Sequence, residues 1–106
     1  MLTITLICNL GMSTSMLVDK MAAYAKERGI EANVEARAFQ RVDDRIHNTD
    51  ILLLGPQVRH LTKKFEQQYG DEIPVIEIMN MSDYALIRAE NIFNSAYQKY
   101  LEKTNK

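Results

Sequence analysis

The first strong pattern in the chain is a change of hydrophobic period between residues 2 and 25. Leu2 to Ile7 sets apolar and β-branched positions in alternation and then in a run, which favours a strand, and the turn-like Asn9-Leu10-Gly11 follows Cys8. From Ser13 onward Leu17, Met21, Tyr24 and Ala25 fall on one helical face, with Gly29 placed as the stop. Ala32 to Ala38 alternates again, setting Asn33, Glu35 and Arg37 against Val34 and Ala36, and predicts a strand with one wet face at a sheet edge. Phe39 to Asn48 is polar and weakly periodic, anchored by Phe39, Val42 and Ile46, and reads as a short helix.

Asp50 to Leu54 is a brief apolar run that stops at Gly55-Pro56, suited to a central strand buried on both faces of a parallel sheet. Val58, Leu61, Phe65 and Tyr69 then form a helical stripe ending at Gly70, and Val75 to Ile78 reads as a fourth strand. A loop through Asn80 and Asp83 leads to a last helix, Tyr84 to Leu101, with Ala85, Ala89, Ile92 and Ala96 on one stripe beside Phe93, Tyr97 and Tyr100. Strands and helices that alternate through short connections predict right-handed crossovers and a parallel sheet covered on both sides. The fold class is therefore α/β, a small three-layer, doubly wound sandwich.

Length and composition add limits. The 106 residues suit one domain, 1–106, and 46% hydrophobic with 25% charged residues is ordinary globular usage. The net charge of -1, with Lys and Arg scattered, offers no footprint for nucleic acid. No apolar run approaches the roughly 20 residues of a membrane span, so no direct insertion is expected. The amino end lacks a secretion signal, which places the protein in the cytoplasm. A lone cysteine forms no internal disulfide and no multi-cysteine metal site.

That cysteine, Cys8, stands where the first strand gives way to the first helix. In open parallel sheets ligands bind beyond the carboxyl ends of the strands, and the segment Asn9-Leu10-Gly11-Met12-Ser13-Thr14-Ser15 brings a glycine and three hydroxyl side chains into a helix amino terminus. Unpaired amides and the helix dipole favour an anion there. They favour thiolate as well, so Cys8 is expected to have a lowered pKa and to act as a nucleophile. Against this stands the plainer possibility that Cys8 is a small buried hydrophobe and the hydroxyls simply cap a helix. The glycine, the three hydroxyls and the junction taken together tip the balance toward chemistry.

Absences narrow that chemistry. A cysteine phosphatase of the C-x5-R type holds its phosphoryl group with a guanidinium, but Thr14 occupies that position. Gly11 stands where a C-x-x-C dithiol would place its second cysteine. A phosphoryl group on Cys8 would thus be held by amides and hydroxyls and hydrolysed slowly, which suits an intermediate that is passed on.

The run from Cys8 to Val18, with Gly-Met-Ser-Thr-Ser at its centre, resembles the active loop of the IIB components of the lactose and cellobiose family of the bacterial phosphoenolpyruvate-dependent sugar phosphotransferase system. Leu53-Leu54-Gly55-Pro56-Gln57-Val58 and Asp83-Tyr84 look like two further motifs of that family. The resemblance implies a four-stranded parallel sheet, expected in the order 2-1-3-4, with helices on both faces. It implies that Cys8 is the catalytic nucleophile, taking a phosphoryl group from a phosphohistidine of a IIA partner and delivering it to a sugar held by the membrane-embedded IIC transporter. Cellobiose, chitobiose and lactose-like β-disaccharides are the candidate sugars. Asn9, Leu10, Gly11, Met12, Ser13, Thr14 and Ser15 would cradle the phosphate, while Pro56, Gln57 and Tyr84 would shape the rim and docking face. No cofactor and no metal are called for. Asn9 and the bulky Leu10 replace the small residues common in the family, and Ala85-Leu86 follow Tyr84 where glycines are often found.

Two other functions remain open at this point, a free-standing phosphatase or arsenate reductase and a non-catalytic regulatory module. His47 and His60 lie in different expected helices, without zinc-site spacing, and read as surface residues. Arg59, Lys63 and Lys64 read as a solvated cationic face. Met12 and Met16 flank the loop, and Met79 and Met81 are expected at the rim.

Overall fold

A computed structural model describes residues 1–8, 12–39, 46 and 48–104, with only the backbone of Met12 and Ser13. In chain order the elements are β1 (Leu2–Cys8), α1 (Met12–Glu27), β2 (Ala32–Ala38), β3 (Ile51–Leu54), a 3-10 turn (Pro56–Leu61), α2 (Thr62–Tyr69), β4 (Val75–Ile78), α3 (Met81–Ala85) and α4 (Ala89–Thr104). All pairings are parallel and the strand order is β2-β1-β3-β4, as expected from the sequence. The chain leaves β1 in one direction toward β2 and later joins its other side as β3. The winding therefore reverses between β1 and β3, whose carboxyl ends carry Cys8 and Gly55.

Side chains of opposite parity in the strands feed two cores. Ile4, Leu6, Ile51, Leu53 and Val75 pack with Leu17 and Met21 of α1 and with Ile92, Phe93 and Ala96 of α4. Phe93 is fully buried and meets Tyr24 edge-on, with ring centroids 5.6 Å apart. On the other face Ile7, Leu52 and Leu54 pack with Val58, Phe65 of α2 and Ile73. Each large side chain so buried contributes about 1.5–3 kcal/mol. β3 supplies both cores and is buried throughout, the environment its unbroken apolar run calls for.

Gly29 ends the first helical segment with φ of +74°, a left-handed conformation that costs glycine little. The stripe from Val58 to Tyr69 is not one helix. Pro56 opens a 3-10 turn that is itself kinked at Val58, with φ of -118° and ψ of 20°, and α2 begins only at Thr62.

The expected helix from Tyr84 to Leu101 is also broken. Tyr84 belongs to α3, Ile87 takes φ of +53°, and α4 begins only at Ala89. Ala85, expected on the buried stripe, is exposed as a result. The helix expected over Phe39 to Asn48 lies largely outside the described residues, although Ile46 is seated in the second core. Met79 is buried, not at the rim, because its amide continues the ladder by donating to the Leu54 carbonyl. Met81 is exposed. Among the described residues no helix is long and apolar enough to cross a membrane.

Candidate functional site

Cys8 is the last residue of β1 and is fully buried. Its neighbour across the sheet is held close, since the Gly55 amide donates to the Ile7 carbonyl at 2.8 Å. A Cβ on Gly55 would come within 2.7 Å of Gln57 Oε1 and 3.0 Å of Cys8 Cβ. Gly55 has φ of -65°, a value open to any residue, so glycine is needed here for space and not for backbone conformation. That absent side chain keeps β3's exit close to Cys8 and leaves room for the Gln57 side chain.

The first turn of α1 supplies the next group. Thr14 Oγ1 lies 3.3 Å from Cys8 Sγ, and the threonine is buried with it. Tyr84 Oη stands 3.4 Å from the same threonine oxygen. Gln57 Nε2 donates to Tyr84 Oη at 3.2 Å. Three segments after three different strands thus converge on one sulfur. Tyr84 is held by its own short helix: Asn80 Oδ1 accepts from the Asp83 amide at 3.0 Å, and the Tyr84 amide donates to the Asn80 carbonyl. Asn91 Nδ2 donates to Asp83 Oδ1, tying α3 to α4 across the Ile87 corner.

The electrostatics differ from the sequence expectation of a lowered thiol pKa. Burial pushes the Cys8 thiol up, because a thiolate loses hydration there, and the hydroxyls of Thr14 and Tyr84 pull it partly back down. The helix-terminus reasoning considered the amides at the junction but not how deep the sulfur sits. A buried thiol with a hydroxyl in contact is shielded from water and from oxidants.

The site residues named from sequence fall into three groups. Cys8, Thr14, Gln57 and Tyr84 are brought together. Pro56 lies beside them with Gln57, Arg59, His60, Met81 and Tyr84 along an open groove of about 500 Å³, and exposed Ser15 borders a second depression near Thr14 and Asp19. Asn9, Leu10 and Gly11, with the side chains of Met12 and Ser13, lie outside the described residues, as does His47. His60, Arg59, Lys63 and Lys64 are solvent-facing. Sequence reasoning put Gln57 and Tyr84 on a docking rim and missed their link to the thiol. The only signal for that link was the recurrence of polar residues just after each strand's carboxyl end. Among the described residues no cluster of His, Cys, Asp or Glu is arranged to hold a metal.

With this geometry in hand, comparisons with known proteins are consistent from end to end. The family described as "PTS system, Lactose/Cellobiose specific IIB subunit" matches residues 3–94. The chain is 32% identical to the galactose-specific EIIB component of the phosphotransferase system (PTS) of Lactococcus lactis subsp. cremoris, over 88% of this chain and 91% of that protein. It is 30% identical to the oligo-beta-mannoside-specific EIIB component of Bacillus subtilis, over 88% and 90%. The solution structure of a cellobiose-specific phosphotransferase IIB component from Borrelia burgdorferi superimposes with a TM-score of 0.75 at 37% identity, covering 96% of this chain and 94% of that one. The lactose-specific IIB domain of Streptococcus pneumoniae shares the fold, with a TM-score of 0.75 at 17% identity over 97% of both chains. The chain therefore belongs to the lactose/cellobiose-specific IIB family and is a IIB phosphotransferase component of a sugar phosphotransferase system.

Proposed function

We propose that Cys8 is the phosphoryl carrier of this component, receiving the group from a phosphohistidine on a IIA protein and giving it to a sugar bound by the IIC transporter at the cytoplasmic side of the membrane. The observation that carries this reading is the contact between Cys8 Sγ and Thr14 Oγ1 at the switch point of the sheet. The single thiol of the chain meets a hydroxyl where a hydrolytic cysteine enzyme would present a guanidinium.

In the first transfer the sulfur attacks phosphorus, the S–P bond forms and the P–N bond breaks. Its electron pair returns to the imidazole, which takes up the thiol proton. In the second, a sugar hydroxyl oxygen attacks phosphorus and the S–P bond breaks. The sulfur leaves as thiolate and the sugar's proton passes to a base of the transporter complex. Asn9 to Ser15 supply amides and hydroxyls to the phosphoryl oxygens, as the strand-to-helix junction favours. Pro56, Gln57 and Tyr84 border the groove on which partners dock. The chain acts as one domain over 1–106. The galactose, oligo-beta-mannoside and cellobiose specificities named for relatives make galactose and short β-linked oligosaccharides the candidate cargo.

Incubation with phosphoenolpyruvate, the general phosphotransferase proteins and a panel of IIA donors should add one phosphoryl mass to the wild type and none to Cys8→Ser. Wild-type protein that stays unmodified with every donor, or modification that persists in Cys8→Ser, overturns the assignment. Turnover of an aryl phosphate that depends on Cys8 would replace it with the phosphatase reading.

A further inference from the structure

Hydrogen-bond direction in the cluster around Cys8 is fixed at its outer end, where the donor is an amide nitrogen. Gln57 Nε2 is a donor only, so Tyr84 Oη accepts from it at 3.2 Å. The one phenolic hydrogen is then available to Thr14 Oγ1, 3.4 Å away. Thr14 in turn has one hydroxyl hydrogen, which is free to point at Cys8 Sγ, 3.3 Å away, when Tyr84 donates to its oxygen. One arrangement, in which every link points toward sulfur, satisfies all three contacts.

We propose that Gln57 is a positioning residue for Tyr84, and that Tyr84 and Thr14 together keep hydroxyl donors turned toward the Cys8 sulfur within one hydrogen-bonded chain. The role goes beyond shaping a docking rim. It rests on the carrier reading for its use, since sulfur holds negative charge when it attacks and again when it departs. Its geometry stands without that reading. Donors that polarise one another strengthen the last bond of such a chain, and a bond to an ionised acceptor is about twice as strong as one between neutral groups. Exposed Gln57 and half-buried Tyr84 also place the outer end of the chain at the surface, where a docked partner can touch it.

The charged groups on the elements around the thiol are Asp19, Lys20, Lys26 and Glu27 of α1, Glu35 and Arg37 of β2, Arg59 and His60 of the 3-10 turn, and Asp83 beside Tyr84. The influences that move the thiol are burial, Thr14 and Tyr84. A titration of the sulfur therefore responds to these two hydroxyls.

The experiment follows the 13Cβ resonance of the single cysteine against pH in the full-length protein. Thr14→Val should raise the titration midpoint by about one pH unit, the scale of one lost hydrogen bond to a charged group. Thr14→Ser, which keeps the hydroxyl, should restore it. Tyr84→Phe should raise the midpoint by less than Thr14→Val, and Gln57→Leu by less again. Thr49→Val, a destabilising change remote from the sulfur, should lower the melting temperature and leave the midpoint unmoved. A midpoint in Tyr84→Phe equal to wild type overturns the chain, and so does a midpoint in Thr49→Val that rises with the others. Phosphoryl uptake is not part of this readout, so loss of the carrier reading and loss of the chain give different results.

Discussion

Two buried polar clusters in this molecule use the same residue type toward different ends. Thr5, Thr14 and Thr49 are the buried polar side chains of the described residues, each almost wholly removed from solvent. Toward the amino ends of the strands, Thr5 Oγ1 and Thr49 Oγ1 pair at 2.8 Å. Next to them the Thr3 amide donates to Asp50 Oδ2 at 2.9 Å while the Asp50 amide donates to the Thr3 carbonyl. Donors and acceptors there meet one another, and the cluster ties the segment entering β3 to β1. At the carboxyl ends, Thr14 belongs to a chain that starts at the surface with Gln57 and ends on sulfur. A closed pair satisfies itself; an open-ended chain leaves a hydroxyl against the thiol. Burial and residue type are nearly equal in the two places, so the difference lies in what terminates the network.

The comparison is broken most severely at Gly55. With Cys8 Cβ only 3.0 Å from the place a Cβ would take, and Gln57 Oε1 closer still, Gly55→Val must push the strand exit away from the thiol. The glutamine end can swing aside, but the strand-borne Cys8 Cβ has little freedom to do so. We expect at least a tenfold fall in phosphoryl uptake rate, together with about 1–3 kcal/mol of lost stability in urea denaturation from overpacking.

Next in size is Thr5→Val, which leaves Thr49 buried without its partner and should cost about 1–3 kcal/mol by the same denaturation measurement. The double variant Thr5→Val/Thr49→Val removes both needs at once and should recover most of that loss. A double variant as unstable as the sum of the singles would show the pair to be more than mutual satisfaction. Tyr84→Phe should show the opposite profile. Its phenol is only half-buried and stays accessible to water, so the stability change should be under about 1 kcal/mol while the thiol midpoint moves.

The smallest effect is on the pH dependence of stability. The Cys8 thiol is raised in the folded state, so on raising the pH the unfolded chain gives up its thiol proton first. Its contribution to stability is thus complete below the ordinary thiol range and is lost as pH rises through the folded value. Wild type should lose stability on that alkaline limb relative to Cys8→Ser, as thermal melts at stepped pH will show. Parallel curves for the two proteins would mean the sulfur is hydrated alike in both states.

Much of the architecture was legible because it depends on local period. Ala32–Ala38 and Val75–Ile78 have the bounds their patterns imply, and the two-sided burial of Ile51–Leu54 follows from its lack of polar positions. Misreadings occurred where a local pattern continues through a bend. Ala85, Ala89, Ile92 and Ala96 keep helical spacing across the α3–α4 corner, and the residue that takes the left-handed conformation is Ile87, not a glycine that would have flagged it. Pro56 did mark a turn, yet nothing in the spacing of Val58 and Leu61 separated 3-10 geometry from α. The direction of the thiol shift was missed because a helix terminus can be inferred from neighbours in sequence, whereas desolvation depends on elements from the rest of the chain.

Sequence by itself determined the alternation of strands and helices, the single cysteine at a strand-to-helix junction, and the motif run that marks the family. Tertiary structure decided that Cys8 is buried, that Gly55 is a gap and not a hinge, and that Thr14, Tyr84 and Gln57 are gathered beside the sulfur. Periodicity carries information over a few residues, which is enough to form each element. The contacts at the sulfur come from segments far apart in the chain, and only parallel pairing in the order β2-β1-β3-β4 sets the carboxyl ends of the strands side by side.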